Sequence, residues 1–165
     1  MNKTILAYAA GLLDGEGCIE IYKASSSRAS KSPSLMLRVI ISQKDGLIMN
    51  WLQNNFGGSV AQGRRDKYSI YRWDIRSKAA QQFLTLLKPY VKIKKEQLDI
   101  ALEFEREKGK YLDTLKGHQG FRQLSDEEIS KRLQIKKMLQ EKKREYKEYT
   151  KPSSGTTTKR EDTAR

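Results

Sequence analysis

The residues best suited to chemistry in this sequence are two acids near its N-terminus, Asp14 and Glu16, each of which precedes a glycine. The chain holds one cysteine, Cys18, and one histidine, His118, so it lacks the roughly four Cys or His ligands of a zinc finger. His118 lies in a glycine-flanked segment typical of a solvated loop. Catalysis would therefore depend on carboxylates, lysines and a metal ion. Glu16 follows a predicted helix, whose dipole disfavours an acid there, and this mismatch favours a functional carboxylate over a merely solvated one.

The charge of the chain indicates an anionic partner. Lys and Arg number 33 against 20 Asp and Glu, which gives a formal net charge of +13 and a pI near 9.8. This excess is expected of a protein that binds a polyanion such as nucleic acid. A membrane surface or a ribosome would attract the same charge, so charge alone names a class of partner and not a function.

The sequence also indicates the cellular compartment in which the protein acts. No apolar run approaches the roughly 18 residues of a membrane-spanning helix, and Tyr8, Gly11 and Asp14 interrupt the N-terminal apolar stretch, unlike a signal peptide. A single cysteine allows no internal disulfide. We expect an intracellular protein, in the cytoplasm, the nucleoid or an organelle matrix, with no membrane partner.

Hydrophobic periodicity predicts an α+β fold in the order αββαββα, with a four-stranded antiparallel sheet and helices on one of its faces. In the helix after the first two strands, Leu47 is expected in the buried stripe. The predicted elements are a helix at 4–13, strands at 18–24 and 35–42, a helix at 46–56, a hairpin at 59–76 and a helix at 78–88.

Extra helices are predicted after this core. One covers 93–108 and ends at Gly109; the other covers 125–149 and begins with a capping box at Ser125. The segment 150–165 is rich in Ser, Thr and charge and is expected to be a disordered tail. The chain is therefore predicted to form one domain over 1–149, whose core is 4–108 and whose C-terminal helices cover 109–149.

The second face of the predicted sheet is polar. Because its arginines coincide with the net positive charge, a binding platform is favoured over a simply solvated surface. The residues on this face are Glu20, Tyr22, Met36, Arg38, Arg72, Asp74 and Arg76.

The stretch at residues 9–17, AAGLLDGEG, resembles the nine-residue motif of the LAGLIDADG homing endonucleases. Gly15 is a familiar variant, Glu16 keeps the second carboxylate, and Ala9 departs from the usual leucine. The predicted αββαββα order is also similar to this family's core, over residues 4–108. The resemblance implies a site-specific endonuclease that hydrolyses phosphodiesters of double-stranded DNA with a divalent metal ion.

The sequence carries one such motif, and in the family single-motif chains form homodimers through two parallel motif helices. The small residues Ala7, Ala10 and Gly11 lie on one helical stripe, where two backbones can approach closely. The alternative is that this stripe packs against the sheet of its own chain. Asp14 is interpreted as an interface residue that accepts hydrogen bonds near the dimer axis.

Dimerisation would bring Glu16 of each chain to the axis, where paired carboxylates suit a hard cation such as Mg²⁺. Mn²⁺ and Ca²⁺ are expected to occupy the same sites, Ca²⁺ without supporting catalysis. The resemblance further implies that the Gly15 carbonyl is a metal ligand, that Gln43 orders water, and that Lys94 stabilises charge near the scissile phosphate. The chain departs from some relatives at Leu47, where those carry a basic residue.

The resemblance implies that the sheets of two chains are saddle-shaped and read consecutive major grooves of a long, pseudo-palindromic site. Arg38, Arg72 and Arg76 are the first candidates for base contacts, because arginine commonly pairs with guanine. Glu20, Tyr22 and Asp74 are secondary candidates. The remaining DNA-binding candidates lie at the predicted hairpin tips, near the end of the second strand or on the last helix, where they would contact phosphates. They are Arg28, Lys31, Lys44, Arg64, Arg65, Lys67, Lys136, Lys137, Lys142 and Lys143.

Three other functions remain open at this level. An intron maturase would use the same fold to bind RNA, although A-form RNA has a major groove too narrow for this sheet. A DNA-binding regulator without cleavage is a second alternative, which the retained Glu16 disfavours. A ribosome-associated basic protein is the third. The proximity of Met1 to the motif favours a protein that is encoded in an intron and acts in intron homing over a protein released from an intein.

Overall fold

The computed structural model describes residues 2–24, 34–65, 68–114 and 124–149. None of the helices in these ranges combines the length and the apolar character that crossing a membrane requires. The observed order matches the predicted αββαββα core followed by two helices. The elements are α1 (Lys3–Glu16), β1 (Gly17–Ala24), β2 (Ser34–Gln43), α2 (Gly46–Phe56), β3 (Ser59–Arg65), β4 (Tyr68–Arg76), α3 (Ser77–Leu87), α4 (Lys95–Thr114) and α5 (Asp126–Tyr149).

The four strands form one antiparallel sheet in the order β1-β2-β4-β3. Alternate side chains of each strand face the helices, which is why the sequence alternates in polarity. On that face Ile19, Val39, Trp73 and Ile75 are buried together with residues of α1, α3 and α4. The polar face lies on the other side, and the prediction of helices on one face is confirmed.

The end of α1 differs from its prediction. Asn2 accepts the capping hydrogen bond at the start of α1, and the helix continues through Glu16, beyond the predicted end at residue 13. Neither Gly15 nor Gly17 has a positive φ. Gly17 is required for space instead, because a Cβ there would lie 2.5 Å from the Leu13 carbonyl oxygen. The chain therefore passes directly from α1 into β1.

In α2, the prediction that Leu47 is buried was wrong. Met49 and Leu52 are the fully buried residues, while the side chain of Leu47 is 78% exposed. Asp45 caps the helix by accepting the N–H of Leu47, so Leu47 lies in the first turn, where the helix has not yet reached the core. An apolar side chain is consequently left on the surface near the end of β2.

The C-terminal helices cover the β1 side of the sheet. α4 continues through Gly109, which had been expected to end it, and Ser125 caps α5 by accepting the N–H of Glu128. Further along α5, Lys143 Nζ donates to the Ile19 carbonyl at 3.2 Å. Because Ile19 belongs to the edge strand, this contact satisfies a backbone group that an exposed edge would leave free. The tail at 150–165 lies outside the described residues.

Two consecutive glycines connect α2 to β3, and each has a positive φ: +74° at Gly57 and +84° at Gly58. A Cβ on Gly58 would lie 2.6 Å from the Asp74 carbonyl oxygen, whereas one on Gly57 would meet nothing within 4 Å. The indole of Trp73 donates to the Gly57 carbonyl at 2.8 Å. This turn therefore fixes α2 against the largest buried side chain.

We predict that Gly58→Ala destabilises the protein more than Gly57→Ala. Both changes introduce backbone strain of about 1–3 kcal/mol, but only alanine at 58 also collides with the β4 backbone. Urea unfolding of the two variants would measure the difference in unfolding free energy. Equal losses would show that the close approach to β4 is unimportant.

Candidate functional site

The two motif acids have different environments, although they are two residues apart at the end of α1. The side chain of Asp14 is buried, at 9% exposure. Its carboxylate accepts backbone N–H groups from Lys92 at 2.8 Å, Ile93 at 3.2 Å and Lys94 at 3.0 Å. Asp14 is thus a hydrogen-bond acceptor, as predicted, and its carboxylate is enclosed within its own chain, while its place at the dimer interface stays a prediction.

Lys94 completes this connection from the opposite side. Its ammonium donates to the carbonyl oxygens of Leu13, at 3.0 Å, and Asp14. A cation there compensates the negative end of the helix dipole. Burial lowers the pKa of Lys94, while Asp14, Cys18 and Glu16 oppose that decrease. The ammonium lies near the motif as expected, and its predicted role at the scissile phosphate stays a prediction.

Glu16 is exposed, and among the described residues it has no hydrogen bond or ion pair. It is the last residue of α1, where the final carbonyls of a helix have no helical partner. The Glu16 carboxylate and the Gly15 carbonyl therefore offer adjacent oxygen atoms, which suit a hard cation. Within the described parts of the chain, no group of three or more His, Cys, Asp or Glu could hold a metal ion.

Gln43 is located at the same end of the sheet as the motif. Ile41 of β2 pairs with Gly17, the first residue of β1, so the two further residues of β2 extend toward the end of α1. Gln43 itself pairs with Tyr71 and is half-buried, and Lys44 is exposed beyond it. Glu16, Gln43 and Lys94 are thus brought to one end of the fold.

The exposed face of α1 is narrow and built of small residues. Ala7, Gly11 and Gly15 are exposed at four-residue intervals, and a Cβ at either glycine would meet nothing within 4 Å. Ala10 is 1% exposed, so the prediction that it forms the dimer interface was wrong. It lies on the face of Leu6 and Leu13. A four-residue spacing counted from Ala7 would have selected Gly15 in place of Ala10.

On the polar face of the sheet, carboxylates are paired with arginines. Arg38 donates to Glu20 through Nε at 2.6 Å, and its guanidinium carbon lies 4.6 Å from the centre of the Tyr22 ring. Arg76 donates through Nε to Asp74 Oδ1 at 2.9 Å and through Nη2 to Oδ2 at 2.7 Å. The predicted face is therefore one network of paired charges.

Asp74 is the buried acid of this network. Its side chain is 7% exposed, whereas those of Arg72 and Arg76 are 47% and 49% exposed. Burial alone would raise the pKa of Asp74, but hydrogen bonds from Arg76 and the charges of Arg76, Arg38 and Arg72 hold that pKa below its ordinary value. Ser59 of β3 lies 3.5 Å from Oδ1. The sequence analysis missed Ser59, since only the strand register places it opposite Asp74.

The remaining basic candidates divide into three groups. Arg28, Lys31 and Lys67 lie outside the described residues, and Arg64 and Arg65 are in β3 with side chains outside the description. On α5, Lys137 is 76% exposed, and Lys136 is half-buried. Lys142 is paired with Glu96 at 3.1 Å and Glu145 at 2.8 Å. Lys143 lies 3.0 Å from the Cys18 sulfur atom, so it is committed to the edge of the sheet.

Comparisons with known proteins agree with this arrangement. A family model described as LAGLIDADG endonuclease matches residues 9–104, while no curated protein sequence matches the chain. The homing endonuclease I-TnaI has a TM-score of 0.62 at 19% identity, over 86% of this chain and 97% of that one. I-CvuI, in complex with the I-CreI target, has a TM-score of 0.57 at 18% identity, over 84% and 96%. I-AabMI, bound to uncleaved DNA, has a TM-score of 0.60 at 22% identity, over 79% and 44%.

We predict that Asp14→Asn lowers the stability of the protein much more than Glu16→Gln does. The asparagine would direct an NH₂ group at backbone N–H donors and lose charge-assisted bonds, at a cost of about 3 kcal/mol in unfolding free energy. Glu16→Gln, on the surface, should change it by no more than about 0.5 kcal/mol. Denaturant unfolding at neutral pH measures both. A stable Asp14→Asn variant would contradict the structural role of that acid.

Proposed function

Since the chain belongs to the LAGLIDADG endonuclease family, we propose that it cleaves double-stranded DNA at a specific site, as a homodimer that uses a divalent metal ion. The observation that carries this proposal is the exposed Glu16 carboxylate at the end of α1. It adjoins an exposed stripe of small residues and lies at one end of the arginine-lined sheet face. The acid, the proposed dimer surface and the proposed DNA surface would thus lie next to one another.

The dimer is supported by the exposed face of α1. Ala7, Gly11 and Gly15 would let the helices of two chains approach closely, because no side chain among the described residues fills the space above the two glycines. A groove beside them is largely apolar, and it exposes Tyr8 by 46% and Leu47 by 78%. Contiguous exposed apolar surface of this kind favours association. A two-fold dimer would recognise a long, pseudo-palindromic site.

The metal site would be shared between the two chains. Each chain offers the Glu16 carboxylate and the Gly15 carbonyl at the end of α1, and a parallel pair of these helices would bring both sets of oxygen atoms to the axis. Mg²⁺ is the expected ion; a solved structure of the neighbour I-CvuI was obtained with Mg, and another with Ca. When bound, such an ion would activate water and stabilise the departing 3′ oxygen.

The chain's own residues would prepare this site. Asp14 and Lys94 fix the end of α1, so the direction of the Glu16 side chain is determined by rigid backbone on both sides. Gln43 would position water beside the reacting phosphate, and the charge of Lys94 would stabilise negative charge that develops there.

DNA binding is supported by charge and by the neighbours. The net charge is +13, and arginines stand on the sheet face next to the motif. I-CvuI and I-Vdi141I were solved in complex with DNA, the latter described as an archaeal intron-encoded homing endonuclease. By this analogy, intron homing is the proposed biological role. Exposed lysines such as Lys137 would contact phosphates, which position the protein without specifying sequence.

We predict that Glu16→Gln abolishes cleavage but leaves DNA binding intact. Loss of the carboxylate should reduce the cleavage rate by about 10²–10³-fold or more, whereas the sheet is untouched. The measurement is cleavage of a randomised double-stranded library with Mg²⁺, followed by binding of the enriched site. Glu127→Gln, which removes an exposed acid from the first turn of α5, is the matched control and should cleave normally.

If the wild type cuts no DNA at any site but binds structured RNA tightly, the endonuclease proposal fails in favour of a splicing cofactor. If Glu16→Gln cuts as fast as the control, the assignment of that acid fails while the endonuclease remains.

The dimer is tested separately with Gly11→Leu, for which we predict a monomer that no longer cuts both strands. The leucine would fill the space that the partner helix needs, without disturbing its own chain. Sedimentation velocity reports the oligomeric state. Gly109→Leu is the control, because Gly109 is also helical with nothing near its Cβ position. A dimer that persists in Gly11→Leu would rule out α1 as the interface.

A further inference from the structure

One acid on the polar face of the sheet is mostly buried and already accepts hydrogen bonds. Asp74 lies in the middle of that face, opposite Ile40 of β2 and Ser59 of β3. Its side chain is 7% exposed, and both of its oxygen atoms already accept hydrogen bonds from Arg76. Asp74 is therefore better placed to orient Arg76 than to contact a base, and its own base contact stays a prediction.

Arg76 is held chiefly by Asp74 along one edge of its guanidinium, and the Tyr22 hydroxyl is a weaker second partner. Its Nε and Nη2 atoms form two parallel bonds to Asp74, at 2.9 and 2.7 Å. A guanidinium has about five N–H donors in a planar fork, so Nη1 and the second hydrogen of Nη2 remain on the opposite edge. The side chain is 49% exposed, and it stands on the side of the sheet that carries no helix.

We infer that Asp74 is a positioning residue that fixes Arg76 so that the N–H donors not bonded to Asp74 read a guanine in the DNA major groove. This inference rests on the proposed function and assigns a base to one residue within it. The remaining donors match the O6 and N7 acceptors of guanine, which no other base presents in that pattern. In a symmetric dimer, the guanine would recur at equivalent positions of the two half-sites.

The other arginines of the face differ in a way that isolates Arg76. Arg38 is paired with Glu20, lies over the Tyr22 ring and is only 21% exposed, so it is less accessible to a base than Arg76. Arg72 matches Arg76 in strand, face and exposure, at 47%, but its nearest approach to Asp74 is 4.0 Å. Without a fork-to-fork pair, Arg72 keeps its rotamer freedom and is suited to a phosphate.

The test is selection of bound double-stranded DNA from a randomised library with Ca²⁺ in the Glu16→Gln background, so that cleavage does not enter. Three variants are compared: Arg76→Lys, Arg72→Lys and Asp74→Asn. We expect Arg76→Lys and Asp74→Asn to lower the guanine preference by about 10- to 100-fold at the same single position of the half-site. Arg72→Lys should leave that preference unchanged, since lysine keeps the charge needed for phosphate.

The outcomes separate the inference from the function beneath it. If the parent protein enriches no DNA site, the proposed function and the inference fall together. If a site is enriched but Arg76→Lys changes no base preference, only the inference falls. If Asp74→Asn weakens binding evenly at all positions, Asp74 is structural and does not position Arg76.

A second measurement covers the case in which Asp74→Asn does not fold. In the NMR spectrum of the unmutated protein, the Nε–H of Arg76 should exchange with solvent more slowly than that of Arg72, because Asp74 holds only the former. Equal exchange of the two signals would overturn the positioning role.

Discussion

The candidate site depends on a reciprocal connection between the end of α1 and the turn before α4. The Asp14 carboxylate accepts three backbone N–H groups of that turn, and the Lys94 ammonium returns hydrogen bonds to the last buried carbonyls of the helix. These are charge-assisted bonds in a buried setting, where leaving either partner unsatisfied is costly. The connection fixes the direction in which Glu16 leaves the helix, and it joins the motif to a segment almost 80 residues away in sequence.

On the sheet face, as at the end of α1, buried charged groups are paired with groups of opposite charge or with hydrogen-bond partners. A chain with a net charge of +13 would place repelling arginines side by side on β2 and β4, where Arg38 pairs directly with Arg76. Asp74 and Glu20 lie beside them, so the like charges are compensated by buried or half-buried acids. Arginines that are oriented by carboxylates lose less freedom on binding than free ones. The acids thus allow a face that is both stable without a ligand and ready for one.

The fold was predictable because its information is local. Alternation in the strands, the 3.6-residue period of the helices and the polar sheet face depend only on which side of each element meets the core. The errors arose where a neighbour distant in sequence decides the outcome. Nothing near Asp14 in the sequence indicates that its carboxylate accepts the amides at 92–94. Ala10 was misplaced because the positions three and four residues after Ala7 lie about 100° apart around the helix, so Ala10 faces the core while Gly11 is exposed.

The two acids of the motif have different roles, and this difference explains why both occur in one short segment. The carboxylate of Asp14 is consumed by the fold, and this leaves Glu16 as the motif's exposed acid in each chain. A single carboxylate with one carbonyl is a weak ligand set for a hard cation, whereas two such sets across an axis satisfy its preference for several oxygen atoms. In the proposed dimer, the exposed glycines would determine how closely those sets can approach, since any Cβ at Gly11 or Gly15 would project into the same space. Helix packing and metal binding would therefore be limited by the same distance, and a change that widens the helix contact would weaken the metal site even with every acid in place.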